Sequence, residues 1–476
     1  MKELKIIVLL VGSLIATSCA SDFLEPAPES GITSGSYFSN EKEVESAIIN
    51  MYDGLQGVNS TNVNVNRSTM DEFYLTEMRS DNTETKSQEG ESAQFEFYTI
   101  TPQNSIVSDY YASFYNVIYR ANLVLQNLDV VTDPAKKSSF EGEAKFIRAH
   151  AYFNLVRLYG DIPLIDHVIS PLDKELQYTR VASSSIYELI ESDLKTAIAS
   201  SLDNKYKTRA SKAAAQAILA KVYLTQHKNY TEAKTLLESV MGSGFTLQAN
   251  FNDIFYKERN SEIIFAIGYT PNLSGDSQDF SAEWMNAVGR TSGVNYVTTN
   301  AKAALDTYGG NRKAYSYRVD PLQTTKLQVV KYLPNGESGG ANGKTFSSNA
   351  TLSGNDWIVL RYADVLLMHV EAIMGTNTST TDPAALASFQ AIRNRAGLTA
   401  TVTSISKSEL LLERRVELAF ENSRFFDLVR FDVANAVLSA HAALTGGTFT
   451  GTDLLLPIPQ NEINSSKGLM QQNPGY

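Results

Sequence analysis

Between residues 141 and 163 the chain reads EGEAKFIRAHAYFNLVRLYGDIP. Ala144, Ile147, Ala151, Leu155 and Leu158 recur there at steps of three and four, which puts them on one face of a helix. Phe146 and Phe153 flank that stripe on one side, and Tyr152, Val156 and Tyr159 on the other. Little of the circumference is left for water, so the helix must be packed among other helices. Gly160 stands where a left-handed C-terminal residue is wanted, and Pro163 stops any continuation. A chain organised around such a segment is a stack of helices, and its chemistry must be sought elsewhere.

Amphipathic spacing of the same kind recurs along the chain. Asn40 with Glu43 reads as a capping box, followed by the stripe Val44, Ala47, Ile48, Met51 and Leu55. Helical spacing over 106–128 runs through Tyr110, Tyr111, Phe114, Tyr115, Ile118 and Leu125. Ser185 and Glu188 are spaced to cap a helix carrying Ile186, Leu189, Ile190, Leu194, Ala197 and Ile198. The stretch KAAAQAILAKVYLTQHKNYTEAKTLLESV reads as a helical hairpin. Its small residues at the crossing and its Tyr230-x-x-Ala233 opening resemble a tetratricopeptide repeat, with a longer turn and no regular period, so degenerate helix pairs are expected. Helices resume in WIVLRYADVLLMHVEAIM, PAALASFQAIRNRAGL and SKSELLLERRVELAFENSRFFDLVRF, the last opened by the box Ser406 and Glu409.

Two stretches break the pattern. Residues 58–100 are polar and irregular, and from 242 to 355 the helical period fades into Gly, Asn, Ser and Tyr. Within the second, SEIIFAIGYT and KLQVVKYL read as short strands. The expected architecture is therefore mostly α: a helical scaffold with two irregular excursions free to meet on one side. Its divisions are a leader (1–18), a tether (19–39), an N-terminal helical region (40–241), an irregular ligand-binding excursion (242–355) and a C-terminal helical region (356–476).

The leader has Lys2 and Lys5 before an apolar core at 6–15, too short to span a bilayer. Ala16, Thr17 and Ser18 then lead to Cys19, the only cysteine, so no intrachain disulfide can form. A lone cysteine in that position resembles a bacterial lipobox, with Ala16 in place of the usual leucine. Cys19 is expected to carry a lipid that anchors the chain to a membrane. The net charge of −11 argues against a nucleic-acid surface, which needs a basic face.

No catalytic motif stands out. SGGANGKT at 338–345 lacks the first glycine of a phosphate loop, which would fall at Ser338, and no helix follows. His150, His167, His227, His369 and His441 form no pair at ligand spacing, so neither a metal nor a cofactor is expected. There is no G-x-S-x-G elbow, and no two carboxylates single themselves out as a glycosidase pair. Glu413, Arg414, Arg415, Glu417, Glu421, Arg424, Asp427 and Arg430 are dense enough for an anion clamp, but their spacing fits an ion network better.

The candidate ligand contacts are rings in the excursions. Tyr74 lies in the first, near Arg79, Asp81 and Asn82; Trp284, Tyr296, Tyr308, Tyr315 and Tyr317 lie in the second. Rings beside amides and carboxylates suit neutral polar rings such as sugars. Trp284 is the leading candidate platform, whereas Trp357 opens a segment whose apolar density marks it as core.

Taken in order, several stretches resemble the SusD/RagB family of outer-membrane nutrient-binding lipoproteins. They are Cys19 with SDFLEP, GEAKFIRAHAYFNLVRLYGDIPLI, WIVLRYADVLLMHVEA, AIRNRAGL, ERRVELAFENSRFFDLVR, and LLPIPQNEI with the closing QNPGY. The resemblance implies a superhelical scaffold of about four tetratricopeptide-like helix pairs supporting a less regular ligand-binding half. It implies a surface lipoprotein that binds oligosaccharides without cleaving them. It also implies a partner, a SusC-like TonB-dependent outer-membrane transporter over which the lipoprotein closes as a lid. Some relatives take peptides, so peptide capture is the alternative, and a secreted glycoside hydrolase is the rival from another class. The shared motifs are scaffold, and the family's binding positions do not transfer.

Overall fold

The computed structural model describes residues 37–57, 67–85, 90–170, 172–284, 295–320, 323–333 and 350–476. Cys19, the tether as far as residue 36 and the glycine-rich stretch at 338–345 lie outside them. The central helix spans Pro134–Tyr159. It begins earlier than its apolar stripe because Asp133 accepts hydrogen bonds from the Ala135 and Lys136 N–H groups and Pro134 occupies the first position. Ala144, Ile147, Ala151, Leu155 and Leu158 are all fully buried. At Gly142 a β-carbon would lie 2.0 Å from Ser200 Oγ, so only glycine permits that approach. Gly160, at φ +72°, ends the helix.

Around this helix the others pack in succession. Ser105–Gln126 lies on one side and Ser183–Ala199 on the other, followed by Lys212–Thr225, Tyr230–Met241 and Tyr362–Met374. Tyr362–Met374 also carries Pro383–Arg395 and Lys407–Glu417. Eight helices follow one another in this way, a solenoid-like scaffold consistent with four pairs. The Asn40 and Ser406 capping boxes both form. The Ser185 box does not: the helix starts at Ser183, after Ala182, which has no capping atom.

Three expectations change in three dimensions. The first excursion contains two helices, Ser68–Thr76 and Ala93–Phe97. The former shows no amphipathic period because Ser68, Thr69, Asp71 and Thr76 are buried along with its apolar residues. The expected helix at 357 opens instead with a strand, Trp357–Arg361, paired antiparallel with Ile263–Ile267. β-Branched Ile358 and Val359 lie in a strand paired with one that holds three isoleucines. The last long helix breaks after Glu417, where Phe420 (φ 66°) and Asn422 (φ 55°) adopt left-handed backbone before Arg424–Arg430 resumes.

The two excursions meet. Thr83–Thr85 pairs antiparallel with Asn295–Val297, and the strand Leu327–Val329, read from KLQVVKYL, pairs with Tyr317–Val319. Both excursions are tied to the scaffold by buried ions. Glu417 binds Arg361 Nη1 (2.6 Å), Arg312 Nη1 (2.9 Å) and Arg395. Arg361 also reaches Glu262 (2.8 Å) and Glu421 (2.7 Å). Asp81, from the first excursion, is held by Arg415 (2.9 Å) and Arg424 (2.8 Å). The 413–430 cluster is therefore structural. Burial opposes the charge on Glu417, but Arg395, Arg361 and Arg312 together hold its carboxyl well below the ordinary carboxylate range.

Removing one member of a buried network leaves the others charged and unpaired. Glu417→Ala should cost roughly 3–5 kcal/mol, enough to consume much of a domain's stability. Chemical denaturation of the variant checks this; a midpoint within error of wild type would show that the network is dispensable.

Candidate ligand-binding site

The six side chains singled out from sequence all fall in the seam between excursions and scaffold, and all are buried. Trp284 is 1% exposed, edge-on to Phe73 with ring centroids 4.8 Å apart, and close to Phe280 and Phe420. Tyr74 stacks on Phe95 and donates to Glu283 at 2.6 Å. Tyr296 donates to Gln323 and lies under Lys326, whose ammonium is 5.0 Å from the ring centre. Arg79 sits 4.1 Å over the Phe425 ring. Asp81 is spent on Arg415 and Arg424, and Asn82 bridges Glu77 and Arg415.

The structure therefore brings Tyr74, Trp284 and Glu283 together, but as a core; no ring face among the six is offered to solvent. The physical reason is that the Ser68–Thr76 helix folds under the second excursion and needs apolar cover. Of the remaining tyrosines, Tyr308 is exposed, while Tyr317 is buried and donates to Asp306.

An open polar cleft lies elsewhere, a cavity of about 670 Å³ between the end of the Glu41–Asp53 helix, residues 208–209 and the second excursion. Its walls are pre-set by hydrogen bonds. Arg209 forks onto Glu143 (2.7 and 2.8 Å), which also accepts from the Tyr52 hydroxyl at 2.6 Å. Gln56 Nε2 donates to Asp276 Oδ1 (2.6 Å) and to the Gly268 carbonyl (2.8 Å). Asp356 accepts from the Tyr269 N–H at 3.0 Å. Burial pushes the Asp356 carboxyl up to about 6, and the charges of Glu258 and Asp276 add to that rise.

Asp53, Glu258 and Arg259 form an exposed rim. Tyrosine rings, two guanidiniums, an amide and several carboxylates thus converge, which suits a ligand bristling with hydroxyls. Sequence reasoning missed this cleft because its residues come from four separate stretches and form no motif.

Truncating Trp284 removes a buried indole from an aromatic cluster. Trp284→Ala should therefore lower stability by about 3–5 kcal/mol and reach ligand affinity only indirectly. Thermal unfolding decides: an unchanged melting temperature would return Trp284 to the role of a surface platform.

Comparison with known proteins agrees with this architecture. Residues 22–224 match a family model described as "Starch-binding associating with outer membrane", and residues 291–476 match that of the SusD family. SusD-like protein P2 of Formosa agariphila is 29% identical over 427 residues, covering 80% of this chain and 82% of its own length. A SusD-like protein of Bacteroides ovatus is 26% identical over 471 residues, covering 89% and 82%. Among solved structures, a laminarin binding SusD-like protein superposes with a TM-score of 0.75 at 27% identity, over 92% of this chain and 100% of that one. Surface glycan-binding protein A from Bacteroides fluxus gives 0.78 over 92% and 100%, at 22% identity, a likeness of fold alone. With the central helix, the ion-paired C-terminal turn and both family models in register along its length, the chain belongs to the SusD/RagB family.

Proposed function

We propose that this protein captures oligosaccharides at the outer face of the outer membrane without cleaving them and passes them to a SusC-like TonB-dependent transporter. The observation that carries the reading is the likeness to the laminarin binding SusD-like protein, which extends over that whole chain. The polar cleft supports it chemically: Asp276 and Asp356 are oriented by an amide and a backbone donor, an arrangement that holds hydroxyls and fixes orientation. The outer-membrane wording of the matched family model supports the location.

The rim side chains Glu258 and Arg259 are exposed, so their removal should leave the fold intact. In calorimetric titration with laminarihexaose and with a starch oligosaccharide, the Glu258→Ala/Arg259→Ala variant should bind at least about tenfold more weakly than wild type at equal melting temperature, about 1.4 kcal/mol. Equal affinity would move the site out of this cleft. Shorter sugars accumulating during the incubation would instead make the protein a hydrolase.

Anchorage is proposed to run through a lipid on Cys19, the sole cysteine, at the end of the leader. Two or more acyl chains give firm membrane attachment. Cys19→Ser expressed without the transporter should move from the membrane fraction to the soluble one. Retention in the membrane fraction would rule out the lipid as the anchor.

A further inference from the structure

A second cavity, also about 670 Å³, opens between the central helix, the Lys212–Thr225 helix and the turn after Glu417. It shares no lining residue with the polar cleft. Arg157 stands in its wall with the guanidinium clamped between two rings, 4.0 Å from the centre of Phe153 and 3.8 Å from that of Phe426. Its Nε donates to the Phe153 carbonyl and its Nη2 to Asn154 Oδ1, which fixes the plane and leaves Nη1 with no acceptor among the described residues. The neighbouring cations Lys221, Arg414 and Arg430 are ion-paired with Asp364, Asp427 and Glu371. Arg157 is in no ion pair among the described residues.

Asn422 lines the same cavity from the turn. It is 5% exposed, and its backbone is held at φ 55°. Its amide approaches the Glu72 carboxyl and favours the charged form there, yet neither Nδ2 nor Oδ1 completes a hydrogen bond of good geometry. A buried amide whose donor and acceptor are not fully satisfied is costly. Burial pushes Glu72 up to about 7 against the opposing charge of Arg157, so near neutral pH it is partly protonated and does not neutralise that guanidinium fully. Burial pushes His150 down to about 3, which keeps that imidazole neutral.

A flat, ring-clamped guanidinium with a free edge is a carboxylate receptor. An adjacent amide offers one donor and one acceptor to whatever the carboxylate is attached to. We propose that this cavity is a second binding site, separate from the glycan cleft, and that it takes a small carboxylate-bearing molecule seated on Arg157 with its hydrogen bonds completed by Asn422. A uronic sugar and a free amino acid share that chemistry.

The test is calorimetric titration of wild type, Arg157→Gln and Asn422→Gly with glucuronate, glutamate and glucose. Glycine adopts φ 55° freely, so Asn422→Gly deletes the amide without straining the turn and should melt no lower than wild type. Saturable binding of glucuronate or glutamate, none of glucose, and at least a tenfold loss in both variants is the expected result; whichever carboxylate binds identifies the source. The Glu258→Ala/Arg259→Ala variant should retain that binding, which separates this site from the cleft. No saturable binding of either carboxylate, glucose binding equally well, or an affinity unchanged in Asn422→Gly would overturn the proposal and leave a cavity that holds water only.

Discussion

The rest of the molecule depends on one buried carboxylate. Glu417 accepts from guanidiniums brought by three different parts of the chain: Arg312 in the second excursion, Arg361 at the end of a strand, and Arg395 at the end of a scaffold helix. Arg361 then reaches back to Glu262 and forward to Glu421. Ions taken out of water are expensive, and their mutual attraction compensates only when every lone pair and proton finds a partner. This network joins three separate segments at one carboxylate, and it constrains how the irregular half sits on the helices.

The same turn that serves the network also departs from ordinary backbone. Phe420 and Asn422 both lie in the left-handed region, an unfavourable place for residues with side chains. The turn places Glu421 against both Arg361 and Lys331, and it seats Phe420 against Trp284. Ion pairing, aromatic packing and local strain thus converge on six residues between two helices. Whatever the second cavity holds, part of its wall is built from this turn.

Aromatic residues in the excursions serve packing first. Phe73, Phe280, Trp284, Tyr332, Trp357 and Phe420 form one chain of ring contacts across the seam. A loop that must be both long and ordered needs large apolar side chains to offset the entropy of ordering it. Composition alone cannot separate such pins from platforms, because both are rings in polar, glycine-rich sequence. The polar cleft uses Tyr52 and Tyr269 differently, as hydrogen-bonded walls with carboxylates beside them.

Local periodicity by itself determined the scaffold: the Ala144-to-Leu158 stripe, the Asn40 and Ser406 caps and the helical hairpin around Lys228 were all legible, because they depend on residues within a few positions of one another. The ion-network reading of 413–430 was legible for the same reason, although its partners were not. Only the tertiary structure decided the rest. Ser68–Thr76 is a helix because other segments bury it on nearly every side, and Trp357–Arg361 is a strand because Ile263–Ile267 lies beside it. Trp284 is core because Phe73 and Phe420, more than a hundred residues away on either side, close around it. The cleft and the cavity each gather side chains from several distant stretches, and no local pattern records which distant residues a fold will bring together.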